Sequence, residues 1–417
     1  MKVCFLLHQG SMYSGGQGIY LHHITRELVA LGDEVHVIAG PPYADLVEGV
    51  QVHKIRNYSI YRLLETGRFF FFGREPLSFF HPVNFYELAT SRFGFFSVMA
   101  AFSFRAYQKL RELAATHRFD IVHDVQGLGY GTLLTKENGL PVVANIHHPL
   151  QVDRANSVQQ ARTMNDKFRW ARFYPFWMQE IVARRMDRII TGSRASAGSV
   201  AELFRLAPER VAVVYDGVDT GAFRPIEAPK EPNGILYVGN SDDRNKGARY
   251  LLQAMALLRD RPELHLTVVD RENAFLVPSV SRELGIEERV TLTGRIDQEE
   301  LVRLYNTAQL LVSPSLYEGF GLPAAEAMAC GTPVLATTAG AFPEVIEDGT
   351  SGVLVPPADA RALAGGIVAL LDDAPRRQRL GQEGRRRIVD HFSWRRTGER
   401  THALYEEVRA EAIRRRR

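Results

Sequence analysis

The stretch Gln309-Leu310-Leu311-Val312-Ser313-Pro314-Ser315, followed by Glu318-Gly319-Phe320-Gly321-Leu322-Pro323-Ala324-Ala325-Glu326, decides how this chain is read. Its first half is an aliphatic run of strand length; its second half has Pro323 where a helix begins, with Gly331 where that helix stops. The spacing predicts a buried strand, a short loop and a helix. Such a turn leaves the N–H groups of Phe320, Gly321 and Leu322 unused by the helix, and the helix dipole favours an anion beside them. A diphosphate fits that description. Glu318 and Glu326 would repel phosphate, so their expected partners are hydroxyl groups on either side of it. A sugar nucleotide carries hydroxyls on both sides of a diphosphate.

Outward from this turn, strand-like and helix-like segments alternate along nearly the whole chain. Val3 to Leu7 leads through a Gly-rich loop to a helix from about Gly18 to Leu31 and a strand at Val35 to Ala39. Further strands are expected at Ile121-Val122, Val142 to Ala144, Arg188 to Thr191 and Val211 to Tyr215. The pattern restarts at Gly234 to Gly239 and runs through Leu264 to Val269, Val290 to Leu292, Leu310 to Ser313, Val334 to Ala336 and Gly352 to Leu354. Alternation of this kind predicts an α/β fold with two doubly wound parallel sheets in tandem. Between them Asp216 to Asn233 is rich in Pro, Gly and charge, which suits a hinge.

A chain of 417 residues with a formal net charge of +3 has room for two cores and no excess of charge that would point to nucleic acid. Basic runs at Arg376 to Arg387 and Arg414 to Arg417 read as solvated helix faces or as contacts for anionic lipid. Cys4 and Cys330 have neither metal spacing nor further cysteines around them, so a reducing, cytoplasmic setting without a disulfide is expected. The longest uncharged apolar run, Phe93 to Phe104, falls short of the roughly 20 residues a membrane span needs. One block breaks the alternation: from Tyr58 to Tyr107 the chain places about half of its 23 phenylalanines, interleaved with Arg62, Arg68, Arg74, Arg92 and Arg105. It reads as two or three capping helices, or as an apolar acceptor groove or membrane-facing surface.

Several residues stand where strands end. Ser14-Gly15-Gly16-Gln17-Gly18 opens the first helix and lets substrate phosphate approach the backbone. It is not a dinucleotide fingerprint, because Leu21 occupies the third glycine position and Gly40-Pro41-Pro42 follows the second strand in place of a ribose-binding acid. Gly239, Asn240, Arg244 and Lys246 follow the first strand of the second domain, and a lysine there can neutralise a diphosphate as its bond to a sugar breaks. His147, then His148, closes the strand Pro141 to Ile146, where ligands of parallel sheets gather. Asp153-Arg154 and His123-Asp124 are expected near the same rim, towards an acceptor. No Asp-x-Asp is present, so no metal is expected, and no carboxylate is nominated as a nucleophile.

The Glu-x7-Glu pattern of Glu318 and Glu326, with Asn306 to Ala308, Ala327 to Val334, Gly340 to Glu344 and Gly349 to Pro356 around it, resembles the family 4 glycosyltransferases. The resemblance covers nearly the whole chain, strongest from Gly234 to Pro357 and weakest from Tyr58 to Tyr107. It implies a GT-B fold, two Rossmann-like domains facing a central cleft, with residues 1–217 binding the acceptor, 218–393 the donor, and a helix at 394–417 crossing back to the first domain. It implies a retaining, metal-independent transfer of a hexosyl unit from a UDP- or GDP-sugar to an acceptor hydroxyl of a lipid, glycan or small molecule.

By the same resemblance Glu318, Lys246 and His147 carry the reaction, with His147 and Glu318 facing the donor sugar and Glu326 the ribose. Gly15, Gly16, Gly239, Asn240, Arg295, Gly319, Phe320, Gly321 and Leu322 are expected to complete the donor site, with Arg244 in reach of the same phosphate from its loop; Gln17, His148, Asp153 and Arg154 are expected on the acceptor side by their place near the rim. Asn240 departs from the family, which usually carries an arginine there. The expected partners are the nucleotide-sugar co-substrate and an acceptor, apolar or lipid-linked among the choices, with no cofactor, and a peripheral contact at the inner membrane face is left open. An epimerase or phosphorylase on the same architecture, or a sugar-nucleotide binder without turnover, remains the alternative.

Overall fold

Two parallel sheets carry the fold. The structure, a computed structural model, describes residues 1–10, 17–56, 81–92, 97–137, 139–147, 149–160, 163–165, 167–168 and 176–416. In the first sheet the strands are β1 Lys2–Leu7, β2 Glu34–Ala39, β3 Val50–Lys54, β4 Ile121–Val125, β5 Val142–Asn145, β6 Arg188–Thr191 and β7 Val211–Val213, in the order β3-β2-β1-β4-β5-β6-β7. Every neighbouring pair is parallel. The second sheet holds β8 Gly234–Val238, β9 His265–Val269, β10 Val290–Leu292, β11 Leu310–Ser313, β12 Val334–Thr337 and β13 Val353–Val355, in the order β10-β9-β8-β11-β12-β13, again all parallel. These are the doubly wound sheets that the alternation predicts. β3 was not among the expected strands: Val-Gln-Val-His-Lys is short and largely exposed, an edge strand with little apolar signal.

The chain divides into two compact units, Met1–Gly192 with Ser196–Val214 and Thr397–Arg417, and Ser193–Ala195 with Tyr215–Arg396. In the first, β4 and β5 are buried along their whole length and β1 along all but its first residue, as strands covered by helices on both faces must be. In the second, β11 and β12 are flanked by the buried aliphatic and alanine face of the helix Leu322–Ala329. The segment 216–233 is fastened to this unit: Ile226 N–H donates to Asn306 (3.0 Å) and Lys230 Nζ to the Ala308 carbonyl (2.8 Å).

The basic run Arg376 to Arg387 is only partly a solvated face. Arg377 donates to the Leu370 carbonyl (2.7 Å), Arg385 to those of Ala329 (2.6 Å) and Phe223 (2.9 Å), and Arg387 to Val345 (2.7 Å). These guanidinium groups close helix ends and loop carbonyls. Of the Phe-rich block, Phe69 to Phe72 with Arg62, Arg68 and Arg74 lie outside the described residues. Its described part forms the helices Pro82–Arg92 and Val98–Ala114, where Arg105 pairs with the fully buried Glu87 (2.7 Å). No helix among the described residues is long and apolar enough to cross a membrane.

The last helix, Trp394–Arg416, places its length from Thr397 onward in the first unit. There His402 meets Asp33 (2.8 Å), Arg409 meets Asp120 (3.0 Å) and Arg188 meets Glu411 (2.6 Å). Deeper in, the hydroxyl of Tyr405, fully buried, bonds His123 Nδ1 in the middle of β4. Burial pushes His123 down to about 3, so its ring is neutral and each nitrogen needs one partner. Tyr405→Phe strands one of them. The expected cost is about 1–3 kcal/mol, read as a lowered midpoint of urea denaturation.

Candidate functional site

Strand order in the second sheet reverses between β8 and β11. Ligands of open α/β sheets bind beyond the carboxyl ends of the strands at such a reversal. The sequence puts its most informative residues on these two loops. After β8 come Gly239 at φ 152°, Asn240, and a single 3-10 turn Arg244–Lys246 closed by Gly247 in the left-handed region. After β11 comes the loop to the helix Leu322–Ala329, whose N-cap is Gly321 at φ 95°. Only glycine fits that position easily, since a Cβ would also lie 2.5 Å from the Phe342 ring.

The two loops are locked to each other through backbone. The Asn245 carbonyl accepts from Leu316 N–H at 2.7 Å, and a Cβ on Gly247 would stand 2.0 Å from the Pro314 carbonyl oxygen. This closeness brings Lys246 to Glu318: Nζ lies 3.1 Å from Oε1 and 2.9 Å from Oε2. Ser315 Oγ adds a third contact to Glu318 at 3.2 Å. The Glu318 backbone is held in turn by Gly340, where a Cβ would come within 2.1 Å of the Glu318 carbonyl oxygen, and by Ala341 N–H donating to that oxygen (3.0 Å). Among the described residues no hydrogen bond engages the N–H groups of Phe320, Gly321 or Leu322, while the Phe320 ring is buried against Phe392. A lysine ammonium, free amides at a helix start and a carboxylate thus share one strand-end surface.

Glu326 sits within the helix, half-buried, and accepts from the hydroxyl of the fully buried Tyr305 at 2.8 Å. Burial pushes its carboxyl up to about 7, partly offset by the Tyr305 hydrogen bond. Arg244 and Arg295 are exposed on their loops. Asn240 is exposed too, and its Oδ1 accepts from Asp242 N–H (3.2 Å), capping its own turn. One residue escaped the sequence reading. Tyr237 in β8 is buried, yet its hydroxyl has no partner among the described residues and lies 3.4 Å from where a Gly239 Cβ would be. Burial, reinforced by the nearby Asp270, Asp243 and Glu318, pushes its pKa well above the ordinary tyrosine value, so the hydroxyl is a donor. A tyrosine directly ahead of a glycine loop was the available signal, hidden by its place in a strand.

In the first unit, strand order reverses between β1 and β4. The loop after β4 holds Gln126 at φ 61° and Leu128 at φ 43°, unusual for residues with side chains, and Asp124 fixes it by accepting from Gly127 N–H (2.7 Å), Leu128 N–H (3.0 Å) and Thr132 Oγ1 (2.7 Å). His147 follows β5, half-buried, with its N–H donating to Gln126 Oε1 (3.3 Å) and its ring edge-on to Tyr20 at 4.8 Å. A relay reaches it from the interior: Tyr405 hydroxyl to His123 Nδ1, His123 Nε2 to Asn145 Oδ1, and Asn145 Nδ2 to His147 Nε2 at 3.3 Å. With neutral His123 donating from Nε2 to the Asn145 oxygen, the amide presents its NH2 to His147 Nε2.

His123 and Asp124, expected at the rim, are instead almost wholly buried and serve as supports, because both lie within β4 rather than beyond its end. Gln17 begins the helix Gln17–Ala30, and Arg154 is half-buried on the helix Leu150–Gln160. Gly15, Gly16, His148 and the Asp153 side chain lie outside the described residues.

Comparison with known proteins adds to this geometry. Residues 219–387 match the family model for glycosyl transferases group 1, and residues 14–222 the one for Glycosyltransferase Family 4. The chain is 38% identical over 413 residues to an MMP alpha-(1->4)-mannosyltransferase of Mycolicibacterium hassiacum, covering 98% of each. It is 28% identical to a D-inositol 3-phosphate glycosyltransferase of Thermobispora bispora, over 96% of this chain and 91% of that one. In fold it resembles the sucrose-phosphate synthase of Thermosynechococcus elongatus, with a TM-score of 0.73 at 24% identity over 99% of this chain and 100% of that one.

The contact of Gly340 with the Glu318 backbone can be tested directly. Gly340 has φ 56°, so Gly340→Ala adds left-handed strain to the overlap. It should cost about 1–3 kcal/mol. An unchanged thermal midpoint would contradict this packing.

Proposed function

Since this chain belongs to the family 4 glycosyltransferases, and is itself a glycosyltransferase using a nucleotide sugar, we propose that it moves a mannosyl unit to a saccharide hydroxyl with retention and without a metal. The mannosyl-transferring relative suggests the sugar, and an α-(1→4) linkage in its name requires a ring hydroxyl as acceptor. The observation that carries the reading is the Lys246–Glu318 pair beside the unengaged amides of Phe320 to Leu322. These relatives support transfer over epimerisation, phosphorolysis or binding without turnover.

In this proposal the diphosphate lies on the amides of Phe320, Gly321 and Leu322 and against Lys246. The ammonium stabilises the negative charge that grows on the leaving phosphate as the glycosidic bond breaks, the task that a divalent cation performs elsewhere. Glu318, held in place by Lys246 and Ser315, accepts hydrogen bonds from ring hydroxyls of the sugar. Glu326 accepts from the ribose. Tyr237 donates its hydroxyl to the nucleotide sugar near Gly239. Retention follows same-face attack: the acceptor oxygen bonds to the anomeric carbon, the phosphate oxygen leaves, and the hydroxyl proton passes to that oxygen. The first unit's assigned residues are His147, which the relay orients, with Gln17 and Arg154 for the acceptor. The proposed location is the cytoplasm, supported by two free cysteines.

Kinetics separate these roles. Lys246→Ala should lower kcat by about 100-fold or more. Tyr237→Phe should raise the donor KM about 10-fold without lowering the denaturation midpoint, since it removes a buried hydroxyl that has no protein partner. Wild-type kinetics in both variants would remove the assignment.

Glu326 sets a pH dependence. Its carboxyl, raised from 4.5 to about 7, is protonated in the free protein below that pH. A ribose diol needs the carboxylate, so nucleotide affinity should rise with pH through about 7, by up to about tenfold per unit below it, and level off above. The free protein itself should lose stability as pH rises from about 4.5 to about 7, because the folded state then holds the extra proton. Calorimetric titration with a nucleotide sugar, whose doubly esterified diphosphate has no group titrating near 7, should show this slope in wild type and not in Glu326→Gln.

A further inference from the structure

At the amino end of β2, away from the strand ends described above, stands a second cluster of polar side chains. His36 is fully buried there, with Nε2 2.9 Å from Glu34 Oε1 and Nδ1 3.1 Å from His53 Nε2 on β3. His117, just past the helix Val98–Ala114, sets its ring edge-on to His36 at 4.7 Å. One ligand atom from each of Glu34, His36 and His117 lies within 4.8 Å of the others. We propose that Glu34, His36 and His117 form a binding site for a divalent transition-metal ion of the zinc type, which ties β2 to the end of the helix Val98–Ala114.

The donor set suits that class of ion. Two imidazoles and one carboxylate are a borderline-soft nitrogen and oxygen set, which favours zinc-like ions over magnesium or calcium and leaves a fourth position for water. Nδ1 of His117 is engaged by Thr116 Oγ1 (2.8 Å) and the Leu113 carbonyl (3.3 Å), so the nitrogen it offers is Nε2. His53 supplies the outer support that ligating histidines need: when the ion takes His36 Nε2, the ring carries its proton on Nδ1 and donates it to His53 Nε2. The ring of Phe119, edge-on to His36 at 5.0 Å, shields the inner side.

A burial of this kind otherwise brings no evident gain. Three imidazoles crowd one another, His36 stacked on His53 at 5.4 Å and edge-on to His117 at 4.7 Å. Lys2 competes for the site, its Nζ lying 2.8 Å from Glu34 Oε1, with both side chains partly exposed to water. The geometry is independent of the glycosyl-transfer site, since Glu34 and His36 lie at the opposite end of β2 from its carboxyl terminus.

The experiment strips the full-length protein with chelator and titrates it with Zn2+ by calorimetry and with Co2+ by visible absorption. One equivalent should bind, with the d–d bands of a low-coordinate nitrogen and oxygen site, and Zn2+ should raise the thermal midpoint. Glu34→Gln and His117→Ala change partly exposed side chains and should each weaken binding at least about 10-fold and abolish the thermal shift. Lys2→Ala should tighten it by freeing the carboxylate. No binding by the wild-type chain, or equal binding by Glu34→Gln and His117→Ala, would overturn the proposal.

Discussion

The ion pair of Lys246 with Glu318 is the contact around which the second unit is arranged. It joins two loops that come from adjacent strands far apart in sequence, and it exists only because those loops touch through backbone. Gly247 and Gly340 permit that approach, one against Pro314 and the other against Glu318 itself. Both charges are partly desolvated, so each needs the other, and an isolated charge in the same place would be costly. The pair leaves a lysine donor and a carboxylate acceptor held at fixed positions, which spares a substrate the cost of ordering them.

The first unit reaches a similar end by a neutral route. Its support for His147 is a line of uncharged hydrogen bonds from Tyr405 through His123 and Asn145. Buried polar groups are expensive unless every one is satisfied, and here each partner fixes the next one's tautomer or amide orientation. The last helix therefore contributes more than cover, because its Tyr405 begins the line. Asp124 serves the neighbouring loop in the same way, its three donors compensating for the burial that raises its pKa and holding Gln126 and Leu128 in a strained turn.

Several groups read from the sequence as surface chemistry prove to be internal. Arg377, Arg385 and Arg387 belong to a run that looks like a solvated face, yet they satisfy carbonyls at helix ends and in loops. Tyr237 is the opposite case: a residue that a strand pattern assigns to the core keeps one polar atom unmatched beside the glycine loop. Binary patterns report how much of a side chain is buried, but not whether its polar end finds a partner.

The two parallel sheets were legible in the amino-acid order alone, since runs of buried strand alternating with helices admit few other solutions, and so was the turn from Gln309 to Glu326, since Pro323, Gly321 and Gly331 punctuate it locally. That order also singled out Glu318, Glu326, Lys246 and His147 one at a time. Tertiary structure decided which of them meet. Lys246 pairs with Glu318 because β8 and β11 are neighbours and the loops after them touch, Glu326 is half-buried because Tyr305 of another helix covers it, and His123 turns inward because its strand is central. Such facts depend on contacts between segments distant along the chain, and no local pattern encodes the distance between two loops.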